Sequence, residues 1–85
     1  MDFIFSKHAE EQMLRRAINR EVAVSVILFP DQKIIDNDNP EIVIFQSLIE
    51  ENRQMFLLRV VINIIQYPNI VITLYKTTKI NKYYK

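Results

Sequence analysis

The chain has 85 residues, of which 49% are apolar, with no cysteine and a formal net charge of +1. This length predicts a single domain over residues 1–85, and the absence of thiols excludes a disulfide framework and a cysteine zinc site. A single histidine disfavours any metal site and the absence of glycine excludes glycine-rich phosphate loops, so no cofactor is expected.

The charges are distributed unevenly along the chain. Residues 31–51 contain one lysine against six acidic residues, whereas residues 52–85 contain six basic residues and no acidic one. A basic half of this kind is typical of proteins with a polyanionic partner, most often nucleic acid. An acidic protein partner, or charges that serve only solubility, would fit the same pattern.

The sequence gives no sign of a membrane segment. No apolar stretch approaches the ~20 residues that span a bilayer, and the N-terminus lacks the basic region of a signal peptide. We therefore expect a cytoplasmic protein without a membrane partner.

The N-terminal third predicts one short strand and two helices. Residues 2–5 form a candidate strand, and Ser6 is a candidate N-cap for a helix over residues 7–17. A second apolar periodicity predicts a helix over residues 20–28, with Asn19 as its candidate N-cap. Pro30 ends this helix because its ring nitrogen cannot donate a hydrogen bond.

The first helix brings polar side chains together on one side. At about 100° per residue, His8, Gln12 and Arg15 share a side, with Arg16 at its boundary. His8 is the only side chain whose ordinary pKa lies near neutrality, which makes it a candidate for proton transfer. A structural hydrogen-bonding role for His8, and an ion pair for Arg16, are the alternatives.

The rest of the chain predicts four strands, over residues 33–36, 41–49, 54–64 and 69–77. Short connections between them indicate an antiparallel meander. The predicted fold is therefore α+β, with two N-terminal helices packed on a small antiparallel sheet. Apolar residues on both faces of the last two strands predict that these strands lie in the middle of the sheet.

One charged residue interrupts this apolar pattern. Arg59 shares a predicted strand face with Leu57 and Val61. A buried charge needs a partner, which is either a protein carboxylate in an ion pair or an external anion that enters an open groove. A guanidinium group is well suited to an external phosphate because its fork matches two phosphate oxygens.

Both ends of the chain resemble a family of small bacterial domains of unknown function. Residues 5–9 read F-S-K-H-A and are followed by Met13, Arg16 and Ile18, which resembles that family's opening, F-S-x-H-A-x-x-R-M-x-x-R-G-I. Residues 72–83 read I-T-L-Y-K-T-T-K-I-N-K-Y and resemble its close, V-T-V-Y-x-T-x-K-x-x-K-Y. Those domains are similar to the RelE and BrnT toxins of toxin–antitoxin modules, which implies a RelE-like fold.

Two positions depart from the family pattern. Gln12 stands where the family has an arginine, which removes a candidate phosphate contact one helical turn from His8. Arg15 lies on the same side and is the candidate substitute. Ala17 stands where the family has a glycine. The change at Gln12 leaves open a degenerate site without activity.

The resemblance implies a toxin that is a metal-independent endoribonuclease of mRNA, free or on the ribosome. In such a reaction the 2′-hydroxyl attacks the adjacent phosphate and leaves a 2′,3′-cyclic phosphate and a 5′-hydroxyl. The implied partners are mRNA and a cognate antitoxin, and a homodimer is a further expectation. The expected catalytic residues are His8, Arg59 and Tyr75, and the expected substrate-binding residues are Arg15, Arg16, Thr73, Lys79, Lys82 and Tyr83.

Two other functions fit the same residues. The first is a non-catalytic module whose basic face binds nucleic acid or an acidic protein segment. The second is a structural protein in which Arg59 forms a buried ion pair and the acidic and basic halves of the chain drive self-association. Tyr75 as a core residue with a tethered hydroxyl, and Tyr83 as a residue that packs the tail onto the sheet, are the corresponding structural roles.

Overall fold

A computed structural model describes all 85 residues as a five-stranded sheet with two helices on one face and a short third helix on the other. The elements are β1 (Phe3–Phe5), α1 (Lys7–Arg15), α2 (Arg20–Leu28), β2 (Gln32–Ile35), β3 (Ile42–Glu51), β4 (Gln54–Asn63), β5 (Asn69–Thr77) and α3 (Ile80–Tyr83). The α+β class is as expected, although α3 was not predicted. None of the helices combines the length and the apolar character that crossing a bilayer requires.

The sheet is mixed, and the expectation of a wholly antiparallel sheet is wrong. The strand order of the sheet is β1-β5-β4-β3-β2. Within it, β2 to β5 form the predicted antiparallel meander. The predicted internal positions of β4 and β5 are confirmed. Strand β1 pairs in parallel with β5, with Phe3 opposite Asn69 and Phe5 opposite Val71. Only the tertiary fold brings these two distant segments together.

Both predicted helix N-caps are confirmed. The Ser6 hydroxyl accepts a hydrogen bond from the Ala9 amide at 3.0 Å and donates one to the Ile72 carbonyl at 2.9 Å. Ser6 therefore also ties the start of α1 to β5. The Asn19 side chain accepts from the Glu21 amide at 2.7 Å and so caps α2.

Helix α1 ends two residues before its predicted end because Ala17 adopts a left-handed conformation, with φ of 53°. The Ile18 amide donates to the Met13 carbonyl at 2.9 Å, and the Ala17 amide donates to the Leu14 carbonyl at 3.4 Å. These two bonds form a Schellman motif, in which glycine normally occupies the left-handed position. In this glycine-free chain an alanine takes that conformation at a cost of about 1 kcal/mol.

The turn between β3 and β4 is also left-handed. Asn52 and Arg53 have φ of 51° and 65° and form a two-residue hairpin loop between the paired residues Glu51 and Gln54. Two consecutive positive φ angles match the twist of the flanking strands. Strand β3 therefore runs two residues beyond its predicted end.

The apolar core lies between the sheet and the two long helices. Leu58, Val60 and Ile62 of β4 are fully buried and pack in one cluster with Ala9 of α1 and Ala23 of α2. Because successive side chains of a strand point to opposite faces, the intervening residues of β4 face away from α1 and α2. We call the side of the sheet that they face the open face.

A β-bulge in β5 changes which residues reach the core. Val61 pairs with Thr73 and Ile62 with Val71, so Ile72 is an extra residue in the ladder. Val71 therefore joins the core cluster together with Leu74. A strand that alternated without interruption would place Val71 on the same face as Thr73, but the bulge places them on opposite faces.

Candidate anion-binding site

A row of polar side chains crosses the centre of the open face. The strand register places Gln46 of β3 opposite Arg59 of β4, and Arg59 opposite Tyr75 of β5. Gln32 of β2 lies opposite Gln46 and extends the row to the edge strand. Tyr83 of α3 lies over it. We call these five residues the Arg59 cluster.

The Arg59 guanidinium is held on three sides. Its Nε donates to Gln46 Oε1 at 2.9 Å, and its Nη1 donates to the Tyr75 hydroxyl at 2.8 Å. The guanidinium carbon lies 4.1 Å from the centre of the Tyr83 ring and 5.8 Å from that of Tyr75. These hydrogen bonds and cation–π contacts fix the orientation of the group.

Arg59 has no anionic partner although it is only 7% exposed. The two ion pairs of the chain join Arg20 to Glu10 and Lys76 to Glu51, so the hypothesis of a buried ion pair at Arg59 is wrong. All the groups that hold the guanidinium are neutral, and desolvating a charge without a counter-ion is unfavourable.

One nitrogen of the Arg59 guanidinium stays available. Nη2 makes no hydrogen bond within the protein. Every side-chain nitrogen or oxygen that is shielded from solvent in this chain has a hydrogen-bond partner, so Nη2 is not shielded from solvent. Nη2 therefore retains contact with solvent. The arrangement presents an oriented cationic donor, which suits a phosphate or carboxylate group.

Gln46 and Gln32 are the residues of this site that the sequence did not reveal. Gln46 is fully buried, and its amide nitrogen donates to Gln32 Oε1 at 2.8 Å and to the Tyr83 carbonyl at 3.1 Å. The available signal was a polar side chain in an otherwise apolar stretch of β3. Its role became visible only with the strand register that places it beside Arg59.

The other predicted residues of the C-terminal half border this cluster. Thr73 is half-buried on β5, on the same face as Tyr75. Lys79 precedes α3 and is exposed, and the Lys82 ammonium lies 5.3 Å from the Tyr83 ring centre. Lys82 therefore adds a positive charge beside Tyr83, the residue whose ring lies on the Arg59 guanidinium.

The predicted residues of α1 lie elsewhere. His8 and Arg15 are exposed on the helix, and Arg16 donates from Nε to Gln12 Oε1 at 2.8 Å and contacts no acidic side chain. Helix α1 packs on the sheet face opposite the Arg59 cluster. The structure thus places His8 and Arg59 on two different surfaces, separated by the sheet.

The structure has one surface depression, and it lies in the helical layer that α1 and α2 form. It lies between α1 and α2, with Met13, Leu14 and Ile18 in its wall and the Glu10–Arg20 ion pair at its margin. Its lining is half apolar, and its basic group already has an acidic partner. Its chemistry does not favour a second anion site.

Comparison with protein families places the chain. Residues 5–76 match the model of a domain of unknown function, DUF4258. The chain belongs to the DUF4258 family. Comparisons with curated proteins and with solved structures found no match. The DUF4258 match includes Arg59 and Tyr75 and ends before α3, so Tyr83 lies outside the matched region.

Proposed function

We propose that this DUF4258 protein binds RNA on its open face and cleaves it as the toxin of a bacterial toxin–antitoxin module. The observation that carries the proposal is Arg59, a desolvated and oriented cation with no counter-ion and one nitrogen open to solvent. A backbone phosphate would supply the missing negative charge. The lysines around the site would add sequence-independent contacts to the flanking phosphates.

The proposed reaction uses groups of the open face and no metal ion. The RNA 2′-hydroxyl attacks the adjacent phosphorus, loses its proton, and displaces the 5′-oxygen, which takes up a proton. Arg59 offsets the charge that builds on the phosphate oxygens. The Tyr75 hydroxyl, which accepts a hydrogen bond from Arg59 Nη1 at 2.8 Å, would exchange a proton with the reacting oxygens.

The proposal also includes a cytoplasmic location, which follows from mRNA as the substrate, and a RelE/BrnT-like form of the fold and a cognate antitoxin, which the motifs at the two ends of the chain support. The order of elements, with two helices before an antiparallel meander, is compatible with them.

A second candidate function is RNA binding without cleavage. The observation that favours it is the position of His8, which lies on the helical layer and cannot serve a phosphate held by Arg59 across the sheet. The exchange of the family arginine for Gln12 points the same way. In this case the open face would hold RNA but leave it intact.

An assay with end-labelled RNA in EDTA separates these functions. We expect the wild-type protein to release products with 2′,3′-cyclic phosphate ends, Arg59→Met to release none, and Tyr75→Phe to cleave about 100-fold more slowly because proton transfer is lost. RNA that stays intact, both free and on translating ribosomes, would contradict the proposed endoribonuclease activity. Retained binding to uncleavable RNA would then support the non-catalytic module.

The variant His8→Ala tests which surface carries the reaction. Cleavage at the wild-type rate agrees with a site on the open face. Loss of cleavage in a folded His8→Ala protein would show that the helical layer takes part in the reaction. It would contradict the assignment of proton transfer to Tyr75 alone.

A further inference from the structure

The C-terminal segment, residues 79–85, lies across the approach to Arg59. Its backbone is attached at two points: the Tyr83 carbonyl accepts from Gln46 at 3.1 Å, and the Lys85 amide donates to Gln32 Oε1 at 3.0 Å. Between these points the Tyr83 ring stacks on the guanidinium at 4.1 Å. Arg59, beneath this segment, is only 7% exposed.

Both attachments depend on Arg59 through one chain of hydrogen bonds. A guanidinium can only donate, so Gln46 must turn its oxygen toward Arg59 and its amide nitrogen toward Gln32 and Tyr83. Gln32 must then present its oxygen, which is the acceptor for the Lys85 amide. The position of Arg59 and the attachment of the segment are thus coupled.

The segment itself has little to hold it in place. Helix α3 is a single turn of four residues with no buried residue and no side-chain N-cap. A helix this short is not stable alone, and it keeps its place only through its contacts with the sheet. The segment is therefore the part of the open face most easily displaced.

We infer that residues 79–85 form a displaceable cover over the anion-binding site, and that RNA contacts Arg59 after the cover has moved. The inference rests on the proposed function of the same site. An RNA backbone phosphate, which carries a ribose on each side, cannot reach the Arg59 guanidinium beneath the Tyr83 ring, because only a small part of Arg59 is exposed to solvent. Because only the open form binds RNA, the apparent RNA affinity is the affinity of the open form multiplied by the open fraction.

The cover assigns Tyr83 a role opposite to that of a substrate-binding residue, which makes the sign of a mutation decisive. Binding of uncleavable 2′-O-methyl single-stranded RNA is measured by fluorescence anisotropy for Tyr83→Ala. We expect about fivefold tighter binding than in the wild type, because the cation–π contact that closes the cover is lost. Tyr84→Ala, the matched control, keeps that contact and should bind as the wild type does.

Weaker binding by a folded Tyr83→Ala protein would show that Tyr83 contacts RNA, and unchanged binding would show that the segment does not compete with RNA. Either result would overturn the inference that residues 79–85 form a displaceable cover.

A second variant tests the cover without RNA. Gln32→Leu removes the acceptor of the Lys85 amide and leaves both hydrogen bonds of Arg59 intact. We expect hydrogen exchange of the Lys85 amide, followed by NMR, to become faster in Gln32→Leu and in Tyr83→Ala. Unchanged exchange would overturn the cover. Faster exchange, with no RNA binding by any variant, would support the cover and reject the proposed function.

Discussion

The two faces of the sheet are built on different principles, and β4 shows this within neighbouring residues. Leu58 and Val60 are fully buried in the apolar core beneath α1 and α2. Arg59, between them, lies on the open face under a single helical turn and carries an uncompensated charge. Stability is therefore concentrated on the helical side, whereas the candidate anion-binding site lies on the open face, where one helical turn covers it.

The largest change in stability is expected for a substitution in the apolar core beneath α1 and α2. Leu58→Ala should lower the free energy of unfolding by about 2–5 kcal/mol, because it leaves a cavity in a close-packed core. Denaturant unfolding followed by circular dichroism measures this change. The fraction that stays folded should bind RNA as the wild type does. A loss below about 1 kcal/mol would contradict the assignment of this face as the main source of stability.

On the open face, Arg59→Met should change the free energy of unfolding by no more than about 1 kcal/mol. The substitution leaves Gln46 Oε1 and the Tyr75 hydroxyl without a donor, but it also removes a desolvated charge, and these effects oppose each other. The same denaturant experiment measures it. A loss as large as that of Leu58→Ala would show that Arg59 is chiefly a structural residue.

The helical side can be strengthened without touching the open face. Ala17→Gly should raise the free energy of unfolding by about 0.5–1 kcal/mol, because glycine adopts the left-handed conformation at position 17 without a steric penalty. For a domain of this size that corresponds to a rise in Tm of roughly 2–8 °C. Ala9→Gly, the same exchange inside α1, should lower Tm. A lower Tm for Ala17→Gly would contradict the observed turn.

The smallest effect is expected for the hydrogen bond that the Tyr67 hydroxyl, in the loop before β5, donates to the Asp2 carboxylate. This bond raises the pKa of Tyr67 because ionising the phenol would break it. A raised pKa in the folded state means that the stabilisation is present at neutral pH and is lost as the pH rises through that pKa. Asp2→Asn should lower the pKa of Tyr67 in an alkaline absorbance titration. An unchanged titration would show that the bond does not persist in solution.

Local patterns in the sequence were enough to predict most of the fold. The caps Ser6 and Asn19 and the apolar periodicities gave two helices and five strands at nearly their observed bounds. The end of α1 was missed because its usual signal, a glycine, is replaced by Ala17. Helix α3 was missed because one turn without a cap leaves no periodicity to detect.

The site could be predicted only in part, because its geometry depends on register. Arg59 stood out as a charge in an apolar strand, and its need for a partner followed from electrostatics. The nature of that partner did not, because it required knowing that Gln46 and Tyr75 lie opposite it. The separation of His8 from Arg59 likewise depends on which sheet face α1 covers, and no local pattern contains that information.

The proposed contact between Arg59 and an RNA phosphate decides the function of the open face. Its most direct test is the salt dependence of binding to uncleavable single-stranded RNA for the wild type, Arg59→Met and the control Arg53→Asn, which removes the same charge from the β3–β4 turn. We predict that Arg59→Met binds about tenfold more weakly, with a log–log salt slope shallower by about 0.7, one phosphate contact. Arg53→Asn should keep the wild-type slope. Equal affinity and slope for Arg59→Met and the wild type would contradict the proposed contact.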